Sequence, residues 1–485
     1  MISSSRFLVL VAAFAAQSLL AQPYETPPPV GAPRPPAIAA PFVQTLDNGL
    51  RVIVARRGGL PLVTAELVIR SGAEADPVAL SGLADLTATL LTKGTTRRTA
   101  PQIAEAAEVL GGQLDSGAGW HRAFVSITVT RPQLAAALDL LADVTMNPRF
   151  AAVELERARR QAIDGLSVAL AQPGTLSRLA ADRAAFGAST YGHPAHGTPA
   201  SLARVRRADV ADLHGRWYRP DNTSLIFAGD IDPKEAVALA QAAFGRWARP
   251  ATPLAATVVS DAQPVARSPL VIAMPESGQA GVAMAMPSIA RSAPDYYPAQ
   301  VANTLLGGGY SSRLNQEIRI KRGLSYGVSS SVEARRAGGV FAVSAQTKNA
   351  SAPEVVKVIV DEIDRVAAAP ADADEVEARK LALIGAVSRR FETTEDLAGT
   401  LASLEASGMD PAQVVRAIGE LEKVSPQQVQ DFAKAHWRTG DLRIVVAGDA
   451  PQFVDALRSM YPDLQVVPQA DVDLDRPGLV KPAAK

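Results

Sequence analysis

The chain has 485 residues, of which 47% are apolar, and this length is too great for one ordinary domain. Lysine plus arginine equals aspartate plus glutamate, at 49 each, and no long run of one sign occurs. This balance argues against nucleic acid or an anionic membrane surface as the main partner. The absence of cysteine excludes disulfides, thiol nucleophiles and cysteine-bound zinc, and five histidines leave little material for a metal site.

The N-terminus has the order of a cleavable secretory signal. Arg6 precedes the apolar run FLVLVAAFAAQSLLA, which predicts removal of residues 1–21. The alternative is an uncleaved membrane anchor, although the apolar core is shorter than the roughly 20 residues that a span needs. The proline-rich residues 22–44 are predicted to form an extended tether. We therefore expect a periplasmic or secreted protein without a transmembrane segment after signal removal.

Residues 81–96 read SGLADLTATLLTKGTT and predict an amphipathic helix. Four leucines recur at three- and four-residue spacing, so one face of the helix is expected to be buried. The other positions hold small or polar residues, among them Asp85, Ala88 and Thr89. The helix is either an ordinary amphipathic helix or one that has lost a set of functional side chains.

The remaining chain repeats one pattern twice. Both copies contain an amphipathic helix, a tryptophan and a strand ending in Ala-Gly-Asp, which places Gly229 and Gly448 219 residues apart. ATLLTKG matches NTLLGGG at an offset of 215, and ERARRQAIDG aligns with EARKLALIG at an offset of 220. Three matches in the same order predict two homologous units.

Each unit is predicted to be α+β. Adjacent strands such as LRVIVARR, LVTAELVIR and AFVSITVT, with clustered helices, favour a mainly antiparallel sheet with helices packed on one face. Two such units facing each other would enclose a cleft or chamber. The predicted segments are a signal peptide (1–21), a tether (22–44), an N-terminal unit (45–247), a linker (248–269), a C-terminal unit (270–465) and a tail (466–485).

The order LDNGLRVIVAR, SGLADLTATLLTKGT, YRPDNTSLIFAGDID and LLGGGYSSRLNQEIRIKRGLSYGVSSS resembles the pitrilysin/insulinase family of zinc peptidases. In that family, the helix at residues 81–96 carries an inverted zinc motif, H-x-x-E-H. The motif falls on Asp85, Ala88 and Thr89, and the remaining metal ligand falls on Gly165. A catalytic zinc needs three protein ligands, and Ala88 cannot act as a general base. We therefore expect no zinc in this chain and no peptide hydrolysis by the chain alone.

Arg319 and Tyr326 lie seven residues apart, across a break at Gly323 between a predicted helix and a predicted strand. The resemblance gives both residues a substrate-binding role. In the family, an arginine and a tyrosine at this spacing hydrogen-bond the substrate backbone near the scissile bond. Both side chains can donate to a peptide carbonyl or a developing oxyanion. The structural alternative is that Arg319 pairs with a surface carboxylate and Tyr326 is a half-buried strand residue.

The resemblance implies a secreted, non-catalytic subunit that supplies this pair to a zinc-bearing subunit of the same family. The substrate would be a peptide or an unfolded polypeptide, and the zinc would belong to the partner. One alternative is a catalytically inert structural or scaffolding protein with the same fold. A second is a lone enzyme with other metal chemistry, for which YGHPAH offers His193 and His196; a loop packed by polar side chains also accounts for that stretch.

Overall fold

The computed structural model of the protein describes residues 39–265 and 269–482, so the predicted signal peptide and most of the predicted tether lie outside the described residues. Strand β1 (Phe42–Thr45) pairs antiparallel with β2 (Arg51–Arg56). The last three residues of the predicted tether, 42–44, therefore belong to a sheet, because their backbone groups pair with β2.

The first half of the chain forms six strands and eight α-helices between residues 42 and 244. Its remaining strands are β3 (Leu62–Ile69), β4 (Leu114–Ala118), β5 (Ala123–Thr130) and β6 (Thr223–Gly229). Its helices are α1 (Leu83–Leu91), α2 (Ala100–Val109), α3 (Leu134–Met146), α4 (Ala152–Leu170), α5 (Pro173–Phe186), α6 (Pro199–Arg204), α7 (Arg207–Trp217) and α8 (Pro233–Phe244).

The second half forms six strands, seven α-helices and one π-helix in the described residues from 269 onward. The strands are β7 (Leu270–Ala273), β8 (Ala280–Ser288), β9 (Ser325–Arg335), β10 (Gly338–Thr347), β11 (Arg443–Gly448) and β12 (Gln465–Pro468). The helices are α9 (Tyr296–Leu306), the π-helix (Asn315–Lys321), α10 (Ala352–Ala368), α11 (Ala373–Arg389), α12 (Thr394–Ala406), α13 (Gln413–Glu422), α14 (Pro426–His436) and α15 (Val454–Met460).

The strand orders show that the two halves are copies of one fold. The first sheet has the order β1-β2-β6-β3-β5-β4 and the second has β12-β7-β11-β8-β10-β9. Only β2–β6 is parallel in the first sheet, and only β7–β11 and β7–β12 are parallel in the second. The predicted α+β class, with two homologous units and mainly antiparallel sheets, is confirmed.

Close packing explains the glycine that ends the repeated strand in both halves. A Cβ on Gly229, which has a φ of +138°, would lie 2.1 Å from the Leu62 carbonyl oxygen. A Cβ on Gly448 would lie 2.6 Å from Oδ1 of Asn349. Neither position has room for a side chain, so each copy of the central strand ends in glycine.

The halves exchange one helix each, which the sequence pattern does not reveal. Helix α5, from the first half, packs on β8, β10 and β11 of the second sheet. Helix α12, from the second half, packs on β3 and β6 of the first sheet. The prediction of helices on one face of each sheet is therefore incomplete, because the second face is covered by a helix from the other half. The two halves fold together as a single compact unit.

The last segment of the chain also differs from its prediction. Residues 466–485 are predicted as a tail, but β12 adds to the edge of the second sheet beside β7. Leu474 and Leu479 are buried beyond it. The physical reason is that this short, proline-flanked strand finds an open sheet edge, which is not visible in its own sequence. The predicted linker, in contrast, has neither helix nor strand in its described residues.

No helix in the described part of the chain has both the length and the apolar character needed to cross a bilayer.

Candidate functional site

Helix α1 is positioned by a buried carboxylate that sequence reasoning missed. Asp76 accepts hydrogen bonds from the backbone N–H groups of Gly82 and Ala84, both at 2.9 Å. Burial raises the pKa of Asp76 well above its usual range, and these hydrogen bonds oppose the shift. Helix α1 covers Leu83–Leu91 of the predicted residues 81–96, and its N-terminus is capped by Asp76, which lies outside the helix.

The four residues at the family's zinc positions do not form a metal site. Ala88 is buried in the core of the first half, and Thr89 offers only a neutral hydroxyl. Gly165 on α4 is exposed, and a Cβ there would meet no atom within 4 Å. In the described residues, no three histidine, aspartate or glutamate side chains are grouped so that they could hold a metal ion. The donor set does not fit a tetrahedral zinc centre, which requires three protein ligands.

Asp85 is the one ionisable residue at these positions, and it is already engaged. Its Oδ2 lies 3.0 Å from Nδ1 of His196, and its Oδ1 accepts a hydrogen bond from the Ala118 backbone at 3.3 Å. The hydrogen bond to Asp85 raises the pKa of His196. Asp85 of α1 thus contacts His196 of the YGHPAH loop, 111 residues away, and no local sequence pattern indicates this contact.

The other histidine of that loop turns away from Asp85. His193 is buried against the indole ring of Trp120, with ring centroids 5.3 Å apart. Burial lowers the pKa of His193, so the neutral ring is favoured. His193 and His196 therefore do not act as a ligand pair, and the loop is packed by polar and aromatic side chains.

Arg319 and Tyr326 are brought together in the second half. The guanidinium carbon of Arg319 lies 4.6 Å from the ring centroid of Tyr326 and 4.7 Å from that of Tyr310. The two tyrosines are 89% and 65% exposed, respectively. The half-buried position predicted for Tyr326 by the structural alternative is therefore wrong, and no carboxylate in the described residues pairs with Arg319.

Local backbone features place these three side chains on one surface. The glycine-rich residues 307–309 follow α9, and Tyr310 comes directly after them. Arg319 lies on the π-helix, a wide helical turn that is frequent at functional sites. Gly323 has a φ of +61° and turns the chain into β9, where Tyr326 is the second residue. The predicted helix–glycine–strand order is confirmed, with a π-helix in place of an α-helix.

Asn315 fixes the loop, the π-helix and β9 to one another. Its buried side-chain amide donates to the carbonyl oxygens of Gly309 at 3.1 Å and Val328 at 2.9 Å. Its Oδ1 accepts from the Val328 backbone N–H at 3.3 Å. Because Tyr310, Arg319 and Tyr326 each lie on one of these three segments, Asn315 holds their relative positions.

The stacked side chains line a groove of about 700 Å³, within the range of ligand-binding clefts. One wall comes from the exchanged helix α5, through Gly174, Thr175 and Arg178. The charge of Arg178 also opposes protonation of His196, so Arg178 interacts electrostatically with the Asp85–His196 pair. Sequence reasoning missed Tyr310 and Arg178. The GGGY stretch could have indicated an exposed aromatic residue, whereas Arg178 belongs to a helix whose location is not encoded locally.

Family models and known proteins match both halves of the chain. Residues 51–198 match the family model described as "Insulinase (Peptidase family M16)", and residues 204–383 match "Peptidase M16 inactive domain". An uncharacterized zinc protease of Mycobacterium bovis is 27% identical over 82% of this chain and 91% of its own length. An uncharacterized zinc protease of Streptomyces coelicolor is 26% identical over 80% of this chain and 86% of its own length.

Solved structures share the fold over nearly their whole length. The crystal structure of a peptidase M16 inactive domain from Pseudomonas fluorescens is 25% identical, with a TM-score of 0.78 over 84% of this chain and 98% of that chain. A protease from Helicobacter pylori, 17% identical, has a TM-score of 0.79 over 84% of this chain and 99% of that one. A chain of complex III2 from Candida albicans is 14% identical and has a TM-score of 0.73, over 88% of this chain and 100% of that chain. The chain belongs to peptidase family M16, the insulinase family.

Proposed function

We propose that this chain is a non-catalytic, peptide-binding subunit of an M16 peptidase pair. It presents Arg319 and Tyr326 to a peptide that is cleaved at the zinc centre of a related subunit. The observation that supports this role most directly is the contrast between two sites. The four metal positions lack a ligand set, whereas the half-buried Arg319 lies over the ring of the exposed Tyr326 in an open groove.

The geometry suits a substrate-orienting role. Stacking fixes the plane of the Arg319 guanidinium and leaves its N–H edge free to donate to a peptide carbonyl. The exposed Tyr326 hydroxyl is a second donor on the same surface. Preorganised donors of this kind stabilise negative charge that develops on a carbonyl oxygen during hydrolysis. The base and the metal-bound water would come from the partner, because Ala88 and Gly165 supply neither.

We propose that this pair works in the periplasm or outside the cell, and the apolar run after Arg6, which is typical of a secretory signal, supports this part of the proposal. The partner can be identified by purifying the chain from its native cells with its bound proteins. We expect a co-purifying M16 relative that has H-x-x-E-H and binds zinc, and we expect elemental analysis to find no stoichiometric zinc in the chain alone. One zinc per isolated chain, lost on Asp85→Ala, would contradict the proposal.

The decisive measurement is a titration of the zinc-bearing partner with wild-type or variant chain, following cleavage of an unstructured peptide. Arg319→Ala and Tyr326→Phe should preserve folding and association but lower the turnover of the complex by about 10²-fold, a typical effect of removing one preorganised donor. Arg160→Ala is the matched control, since Arg160 is an exposed arginine on α4, 4.0 Å from its only ion-pair partner. If both site variants support the wild-type rate, the pair is structural and the scaffold alternative is favoured.

A further inference from the structure

The groove beside Arg319 has an unbalanced positive charge. Two arginines, Arg178 and Arg319, line it from opposite halves of the chain. No aspartate or glutamate is among the described residues that line it, and the other polar lining groups are neutral hydroxyls and amides. A cleft lined by one sign of charge concentrates ligands of the opposite sign.

The two arginines are not neutralised by contacts inside the protein. Within residues 39–265 and 269–482, neither side chain forms a hydrogen bond or an ion pair. Arg319 contacts two tyrosine rings, those of Tyr310 and Tyr326, through cation–π interactions. Arg178 is exposed on the first turns of α5, where it points a free cation into solvent at the groove wall.

Two carboxylates lie close enough to influence Arg178, and neither cancels its charge. Asp182 lies one turn further along α5, but its Oδ1 is buried and its carboxylate interacts more strongly with Arg335 than with Arg178. Asp85 is hydrogen-bonded to His196, which Asp85 favours in its positively charged form. The groove wall at Arg178 therefore remains electropositive.

We infer that this groove selects peptides that carry a carboxylate, and that Arg178 is the residue that binds it. The carboxylate is either that of an aspartate or glutamate side chain or the C-terminus of the peptide, and the probes below distinguish these sources. Arginine matches it in both charge and shape, because the guanidinium fork donates two parallel hydrogen bonds to the two oxygens. This inference concerns the class of substrate that the groove binds. It rests on the proposed function, in which the ligand of the groove is a peptide. Arg319 and Tyr326 then remain free to orient the peptide backbone.

The test measures peptide binding to the isolated chain by calorimetry, without a partner. The parent probe is an acetylated, amidated nonapeptide of Gly, Ser, Ala and Leu with a central Gln. A second probe has Glu at the centre, and a third has the central Gln with a free C-terminal carboxylate. At low salt we expect one of the charged probes to bind about tenfold more tightly than the parent, as expected for a charge-assisted hydrogen bond. The charged probe that gains affinity identifies the source of the carboxylate.

Two variants test whether Arg178 causes the preference for a charged peptide. Arg178→Gln should abolish the preference, so that charged and neutral probes bind with equal affinity, whereas Arg160→Gln on α4 should retain it. Raising the salt concentration should shrink the preference, because an exposed ion pair is screened. The inference is overturned if all three probes bind equally, if none binds, or if the preference survives Arg178→Gln. The proposed function is tested separately, by whether cleavage of a neutral peptide by the complex depends on Arg319. Each of the three results above can occur while that dependence holds, so the two failures can be told apart.

Discussion

Arg335 is buried between the two halves against three aromatic rings. Its guanidinium carbon lies 4.5 Å from the ring centroid of Trp120, 5.0 Å from that of Tyr191 and 5.3 Å from that of Phe186. Nη1 of Arg335 and Oδ1 of the nearby Asp182 are buried without hydrogen-bond partners among the described residues. The attraction of Arg335 lowers the pKa of Asp182, but burial has the larger effect and raises it to about 6. Asp182 therefore keeps its proton to a higher pH in the folded protein than it does in the unfolded chain.

This raised pKa predicts a pH dependence of stability. An unfolded aspartate has a pKa of about 3.9, so between pH 4 and 6 the folded chain binds a proton that the unfolded chain has released. The free energy of unfolding should fall as the pH rises through this window. Asp182→Asn should remove this loss and gain about 2 kcal/mol relative to the wild type on going from pH 4.5 to 7.5. Urea denaturation at the two pH values measures the difference, with Asp164→Asn on the exposed face of α4 as control. An unchanged pH profile in Asp182→Asn would show that Asp182 does not titrate in this range.

Local patterns predicted individual elements well, and contacts between distant residues escaped them. The bounds of α1 and β5 follow from apolar periodicity, which depends only on neighbouring residues. The zinc positions could be read from the sequence because the H-x-x-E-H motif lies within one helix. The Asp85–His196 contact and the position of Arg178 could not be read in this way, because each depends on where a distant segment packs.

The position of helix α5 also could not be predicted from its own sequence. Its sequence specifies an apolar face, and Leu176, Ala180 and Ala184 are buried, but nothing in that pattern identifies which sheet covers the face. The covering surface is the second sheet, where the backbone of α5 comes very close to β8. A Cβ on Gly281 would lie 2.5 Å from backbone atoms of Pro173 and Gly174. The N-terminal turn of α5, next to the groove, therefore rests on a position that only glycine can occupy.

Gly281→Ala should force α5 away from the second sheet. Because the obstacle is backbone and cannot rotate aside, we expect a loss of about 1–3 kcal/mol in the free energy of unfolding, as for other overpacked cores. Peptide binding in the groove should weaken as well, since Thr175 and Arg178 would move with the helix. Gly278→Ala is the control, because a Cβ there would meet no atom within 4 Å. Chemical denaturation of both variants checks the prediction, and equal stability would mean that α5 does not approach β8 so closely.

The whole molecule is held together by segments that cross between the halves. Besides α5 and α12, the C-terminal residues reach back to the first half. The buried Arg183 of α5 donates to the carbonyl oxygens of Asp475 at 2.8 Å and Arg476 at 3.0 Å. The Asp475 carboxylate accepts from the Thr198 hydroxyl at 2.8 Å and from Arg204 at 2.9 Å. The C-terminal segment thus fastens the groove-forming helix α5 and the neighbouring helix α6.

Deleting residues 466–485 should therefore destabilise both the fold and the groove. The deletion removes most of β12 and the buried side chains of Val467, Leu474 and Leu479. Burial of three such side chains corresponds to about 5–9 kcal/mol of unfolding free energy. Removal of residues 483–485 alone is the control for shortening the chain. Thermal and chemical denaturation measure stability, and calorimetry with the carboxylate peptide measures the groove.

A point substitution separates the contacts of Asp475 from the loss of the strand. Asp475→Ala keeps β12 but leaves Arg204 without its ion-pair partner and Thr198 without an acceptor. We expect it to cost about 1.5–3 kcal/mol, the range for hydrogen bonds to a charged group, and to weaken peptide binding because α5 is less firmly held. Asp463→Ala, at an exposed position just before β12, should change neither property. If Asp475→Ala lowers stability but leaves peptide affinity at the wild-type value, the C-terminal segment supports the fold without positioning Arg178, and α5 is held in place by its contact with the second sheet alone.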